Sequence, residues 1–174
     1  MEKYFSSRFL LEKAQILYNF VDLFSSYESM PRDYGTGELF SMTEIHLLNA
    51  IYMSPGITAT ELAERMHCTK GFVSRVLSKM DERGYIIRVK KADNAKLKEL
   101  FVTAEGQKLC VVHNDFDERT LLKTYNYLRR DCEEAEIDAF YKVMQVYNNI
   151  MNAAAKKRKR MAEKNTIDWQ ESDR

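Results

Sequence analysis

The chain has 174 residues, 45% hydrophobic and 30% charged, and its 27 basic against 26 acidic side chains leave a formal net charge of +1. That composition suits a folded core in one or two small domains and excludes a chain that is disordered throughout. Six glycines and two prolines argue against a turn-rich β-sandwich, and no run of about 18 apolar residues is present to span a membrane.

The N-terminus, MEKYFSSRFLLEK, lacks the basic start, apolar run and small-residue cleavage site of a signal peptide. Over residues 3–27, Phe5, Phe9, Ile16, Phe20 and Phe24 recur at spacings that predict a long amphipathic helix ending before Pro31. Residues Asp33–Phe40, with two glycines, read as a loop. Ser41-Met-Thr-Glu44 is a capping box opening a helix to about Met53, closed by Pro55-Gly56. Thr58-Ala-Thr-Glu61 is a second capping box, for a short helix ending near His67. Thr69 can cap a third helix, in which Val73, Val76, Leu77 and Met80 form an inward stripe and Gly84 is the stop.

The period then changes. Tyr85–Lys90 and Glu99–Thr103 are short and β-branched, which predicts a hairpin with the charged tip KADNAK. Helical signals return at Ala104 and run to about Tyr127, and Asp131-Cys-Glu-Glu134 is expected to cap a last helix passing Met151. Residues 156–174 are highly charged and read as a frayed helix end and tail. Cys68, Cys110 and Cys132 are odd in number and form no CxxC pair, which predicts reduced thiols and a cytoplasmic setting.

The neutral total hides a local field. Residues 69–98 carry 9 basic and 3 acidic side chains, whereas the segments before and after them, 1–68 and 99–150, are both net acidic. A compact basic block is what phosphate binding needs, whatever the global charge. Three short helices followed by a basic hairpin make a winged helix-turn-helix, whose third helix enters the major groove of DNA. With its apolar stripe turned inward, that helix presents Lys70, Gly71, Ser74, Arg75, Ser78 and Lys79 outward from its Thr69 cap. Arg75 can fork to guanine or to a phosphate and Ser74 can serve either, while Lys70 and Lys79 suit phosphates. Gly71 leaves the backbone near the helix start open to close approach.

The order MTEIHLLNAI, PGITATELAERM, TKGFVSRVLSKMDERGYIIRV and FVTAEG resembles the MarR family of bacterial transcriptional regulators over about residues 35–127. The motifs that carry the resemblance are the PG-x-T-x-x-ELA helix pair, the Arg83-Gly84-Tyr85-Ile86 end of the recognition helix, and the wing closing on Val102–Gly106. The resemblance implies a mainly α fold with a small β-hairpin wing: a winged helix-turn-helix DNA-binding domain over 35–103, a helical dimerisation region from 1–30 and 104–155, and a charged tail over 156–174. It implies a homodimer on a palindromic operator in double-stranded DNA, repressing and released by an effector. It places Ser74 and Arg75 among recognition-helix contacts and Arg88 at the base of the wing. In one respect the chain departs from the family's pattern: the wing's usual Asp-x-Arg is Asp93-Asn94-Ala95 here, leaving Lys96 or Lys98 to substitute.

Three kinds of effector remain open. In zinc-sensing members of the family, positions matching His46 and His113 are metal ligands, and Asp117, four residues beyond His113, falls where a further histidine would be. Ile45 stands where those sensors have a glutamate. Cys68, just before the recognition helix, is a candidate redox thiol, although peroxide sensors of the family place theirs in the first helix. An organic effector is the third option, for which Phe5, Phe9, Tyr18, Phe20, Phe24, Phe40 and Tyr52 could line an apolar pocket. No phosphate-binding glycine loop, GxSxG or HExxH occurs, so an enzyme is not expected. The alternatives are a zinc-responsive repressor of the same fold and a winged-helix protein-interaction module that does not bind DNA.

Overall fold

Two capping boxes start the winged module, and both form completely. In the computed structural model, which describes the backbone of residues 7–91 and 94–172 and the side chains of 8–91, 97–158 and 161, Ser41 Oγ accepts from the Glu44 amide while the Glu44 carboxylate accepts from the Ser41 amide at 2.9 Å. This opens a helix at Met42–Tyr52. Thr58 and Glu61 repeat the arrangement, with the returning bond at 2.8 Å, to open the helix Ala59–Arg65. Each reciprocal pair satisfies two backbone donors that a bare helix end would leave to water.

In chain order the elements are α1 (Ser7–Glu28), β1 (Arg32–Asp33), β2 (Leu39–Phe40), α2 (Met42–Tyr52), β3 (Ile57–Thr58), α3 (Ala59–Arg65), α4 (Lys70–Glu82), β4 (Ile86–Lys91), β5 (Asn94–Val102), α5 (Ala104–Asp131) and α6 (Glu134–Ser172). The fold is mainly helical with a small antiparallel wing, as the sequence predicts. The chain divides into two units, one ending at Glu118 and the other beginning at Arg119.

In the first unit the core gathers one face from each short element: Ile45, Leu48 and Ile51 of α2, Leu62 of α3, Val73, Leu77 and Met80 of α4, Ile86 and Leu100 of the wing, and Leu109 of α5 are all buried. The strands β4 and β5 pair antiparallel, Ile86 opposite Val102 and Arg88 opposite Leu100, with an irregularity between Lys90 and Lys91. The predicted tip narrows, because β5 begins at Asn94. A third strand is present where the sequence predicts only the approach to a helix: β3 pairs with β5, Ile57 opposite Leu100. Likewise β1 and β2 make a two-residue ladder inside the predicted Asp33–Phe40 loop, where the Asp33 carboxylate accepts from the amides of Gly35, Thr36 and Gly37.

The turns at the recognition helix are two consecutive Schellman closures. At the end of α3 the Cys68 amide donates to Ala63 and the His67 amide to Glu64, with His67 at φ 52°, a left-handed conformation that glycine usually supplies. At the end of α4 the Tyr85 amide donates to Met80 at 2.9 Å and the Gly84 amide to Asp81 at 3.0 Å, with Gly84 at φ 74°. The stop expected at Gly84 is therefore met by a backbone conformation that an L side chain resists.

In the second unit one expectation is corrected. Helix α5 continues to Asp131, so Asp131 ends one helix and does not cap the next; the Glu133 amide donates instead to Glu136 at 2.8 Å, at the start of α6. The backbone of α6 stays helical to Ser172, so the charged residues from 156 onward continue the last helix. At 1.5 Å per residue its 39 residues extend about 58 Å. Among the described residues, no helix is long and apolar enough to cross a membrane.

Candidate nucleic-acid interface and histidine cluster

Thr69 caps α4 by accepting from the Phe72 amide at 3.2 Å, which orients the first turn of the helix. Val73, Val76, Leu77 and Met80 are buried as the stripe predicts, and Lys70, Gly71, Ser74, Arg75, Ser78 and Lys79 are all exposed on the opposite side. A Cβ at Gly71 would meet no atom of the chain within 4 Å, so nothing inside the protein requires glycine there.

The cations divide sharply along the helix. Lys70 and Arg75, in the N-terminal half, have no charged or hydrogen-bonding partner among the described residues. Those toward the C-terminal end are engaged: Lys79 lies 3.9 Å from the Glu44 carboxylate, Arg83 is held by Glu38, and Arg88 Nε on β4 lies 2.9 Å from Asp81. Arg88 also donates to Ser78 Oγ at 3.3 Å. Lys96 belongs to β5, but its side chain lies outside the described residues, as do those of Asp93, Asn94 and Ala95.

The Arg83 site could not be read from the sequence, since Glu38 and Arg83 are 45 residues apart. Arg83 Nε donates to the Glu38 carboxylate at 2.8 Å, Tyr85 Oη donates to the same oxygen at 3.1 Å, and the guanidinium stacks 4.1 Å over the ring of Phe40. The hydrogen bonds from Arg83 and then Tyr85 hold the Glu38 carboxyl below its ordinary range. A signal was present only in type: an arginine at the end of α4, and an acid in the loop before α2.

A second cluster lies where α2 meets α5. His46, His113 and Asp117 each bring one potential ligand atom to within 4.8 Å of the others. His113 is fully buried, neither of its ring nitrogens has a hydrogen-bond partner among the described residues, and its Nε2 is 3.4 Å from Asp117. Burial lowers the His113 pKa, and the neighbouring His46 and Arg32 add to the effect against the pull of Asp117. Burial thus favours the neutral imidazole, the form that ligates metals. Tyr34 packs edge-on against His113, with ring centroids 5.3 Å apart, and also meets Phe40 at 6.5 Å.

The other two effector readings gain less. Cys110 is buried, which pushes its thiol up to about 12 and leaves it a packing residue. Cys68 is half-buried and its Sγ donates to the Met66 carbonyl at 3.3 Å. Of the aromatic set, Phe40 is in the winged core and Tyr52 is half-buried against it, whereas Phe9, Tyr18, Phe20 and Phe24 are exposed along α1. Phe5 lies outside the described residues.

Residues 40–98 match the model of the MarR family. Over those residues the winged module is similar to the MarR family. The uncharacterized HTH-type transcriptional regulator YhjH of Bacillus subtilis is 30% identical over 102 residues, covering 59% of this chain and 58% of that protein. The chain thus spans little more than half the length of this curated relative. Among solved structures, Streptococcus pneumoniae FabT in complex with DNA is similar with a TM-score of 0.64 at 19% identity, covering 84% of this chain and 98% of FabT. The zinc-responsive MarR family member ZitR of Lactococcus lactis is similar with a TM-score of 0.62 at 17% identity, covering 80% of this chain and 97% of ZitR. At these identities the structural likenesses speak for the fold.

Proposed function

We propose that this chain is a homodimeric transcriptional regulator, a repressor released by an effector, that reads a palindromic site in double-stranded DNA with the N-terminal half of α4. The carrying observation is the pair of cations, Lys70 and Arg75, that have no partner among the described residues, beside exposed Ser74 and Gly71 on a helix whose opposite face is buried. A capped helix with a free arginine and two small neighbours suits close approach to base edges, and the lysine suits a phosphate. The fold shared with FabT, which was solved on DNA, supports the reading. It is a binding function, and no catalytic step is assigned.

Dimerisation is supported by apolar surface that one chain leaves uncovered. Leu10, Leu11, Ile16 and Leu23 are exposed on α1, and Leu121, Leu122, Phe140, Val146, Tyr147 and Ile150 are exposed on α5 and α6. Apolar stretches of this kind are ordinarily buried by a partner. Selection from a random-sequence duplex pool tests the function. An inverted repeat is expected, with half-sites about one helical turn apart and affinity falling steeply with salt. Absence of any enriched duplex, with a folded dimer in hand, would favour the protein-interaction module instead.

A second reading has its own observation, the orphaned nitrogens of buried His113 beside His46 and Asp117. Two imidazoles and a carboxylate match a zinc donor set, and tetrahedral bonds of about 2.0–2.1 Å bring ligand atoms to roughly 3.3 Å from one another, a modest contraction of the present cluster. The side chains fit the ion, so zinc is the effector this site would take. Tyr34 and Phe40 then join the cluster to Arg83 at the end of the recognition helix through consecutive ring contacts. Cobalt(II) titration of the protein should give the intense visible bands of a tetrahedral site, competed by zinc and lost in His113→Ala. Only weak octahedral absorption would remove zinc as effector and leave the DNA reading standing.

A further inference from the structure

We propose that Arg88 is a positioning residue, a brace that fixes the wing against the recognition helix through Asp81 and Ser78, and not a contact to DNA. The inference rests on the DNA-binding reading and revises the role that the family resemblance implies for this arginine. Arg88 leaves β4 toward α4, with Nε in an ion pair 2.9 Å from the Asp81 carboxylate that is not aligned as a hydrogen bond, while a second nitrogen donates to Ser78 Oγ at 3.3 Å. Asp81 and Ser78 are three residues apart on α4, so one guanidinium grips almost a full turn of the helix. Its side chain is 23% exposed against 43% for Asp81, so the carboxylate and not the guanidinium is the more open of the pair.

The surroundings argue against a phosphate at this point. The cleft between α4 and the wing is lined by Ser78, Asp81, Glu82, Arg88 and Lys98. Two carboxylates there offset the two cations, and any phosphate near enough to reach Arg88 would meet Asp81 first. Lys70 and Arg75, by contrast, face solvent with no acid paired to them among the described residues. The N-terminal half of α4 is thus left to read DNA, and the C-terminal half holds the wing and the β1–β2 hairpin in place.

The two roles of Arg88 predict opposite signs for one substitution. If Arg88 contacted phosphate, Asp81→Asn would release it and tighten binding. As a brace, Asp81→Asn and Arg88→Gln should each weaken binding to the selected duplex, by roughly ten-fold. The double variant should be no worse than either single one. Arg88→Gln should also leave the salt dependence of binding unchanged, whereas loss of a phosphate contact lowers the log–log slope by about 0.9 per contact. Hydrogen exchange of the free protein supplies a readout without DNA: amides of β4 and β5 should exchange faster in both single variants, with the melting of the remaining module retained. Tighter binding by Asp81→Asn, a reduced slope for Arg88→Gln, or unchanged exchange would overturn the brace. A wild-type chain that retains exchange protection in the wing but binds no duplex would instead overturn the DNA reading.

Discussion

Arg75→Ala is expected to abolish discrimination between the selected duplex and a scrambled one while leaving the fold intact. Arg75 is exposed and partnerless among the described residues, in the second turn of α4, so its removal opens no cavity and strands no acid. A bidentate arginine–guanine contact accounts for about 1–3 kcal/mol of discrimination, so each half-site should lose roughly ten- to a hundred-fold in specific affinity. Non-specific affinity should fall by no more than the loss of one cation's attraction implies. Competition binding with duplexes altered at single positions measures both. Relaxed preference at one base pair of each half-site is the expected signature, and equal loss on every sequence would reassign Arg75 to phosphate. Lys79→Ala should do less, because that ammonium is already shared with Glu44.

This contrast between Arg75 and Lys79 marks the limit of what charge counting can tell. The basic block at 69–98 is visible in the sequence, but its internal neutralisation is not. Arg83 and Lys79 are met by Glu38 and Glu44, which belong to the preceding acidic segment, and Arg88 is met by Asp81 from within the block. Local features were legible because their causes are local. Both capping boxes, the Thr69 cap, the buried stripe of α4 and the Gly84 stop each depend on residues within a turn of one another. The strand β3 is invisible in the sequence because two residues carry no periodicity, and only the edge of β5 makes Ile57 and Thr58 extended. At the connection between α5 and α6 Asp131 was the expected cap, and the helix starts later because α5 propagates through Asp131 before α6 begins. The histidine cluster was legible in part: His113 and Asp117 are one helical turn apart and the family resemblance set His46 with them, whereas the burial that strips His113 of partners is a tertiary fact.

Two glycines in the winged unit should respond oppositely to alanine, and the larger effect falls at Gly106. The FVTAEG motif closes the wing, and Gly106 sits in the first turn of α5 directly over the Tyr85 backbone. A Cβ built there lies 2.1 Å from the Tyr85 carbonyl oxygen and 3.1 Å from its carbon. That carbonyl cannot swing aside, because it accepts from the Thr103 amide at 3.0 Å while the Tyr85 amide is held by Met80 at 2.9 Å. Gly106→Ala must therefore force α5 away from the junction of α4 and β4, at a cost of about 3 kcal/mol or more, the upper end for overpacking. A fall in melting temperature of roughly ten degrees or more is expected. Gly71→Ala is the matched control, since its Cβ meets nothing within 4 Å of the chain. Alanine is the better helix former by up to about 1 kcal/mol, so this variant should melt at the same temperature or slightly higher. If α4 approaches DNA by its first turn, the same harmless methyl should weaken binding to the selected duplex. Destabilised protein at Gly106 and well-folded, weak-binding protein at Gly71 would separate the glycine that the fold requires from the one that the partner requires. A Gly106→Ala protein melting within a degree of wild type would contradict the contact between α5 and Tyr85 on which the wing's closure depends.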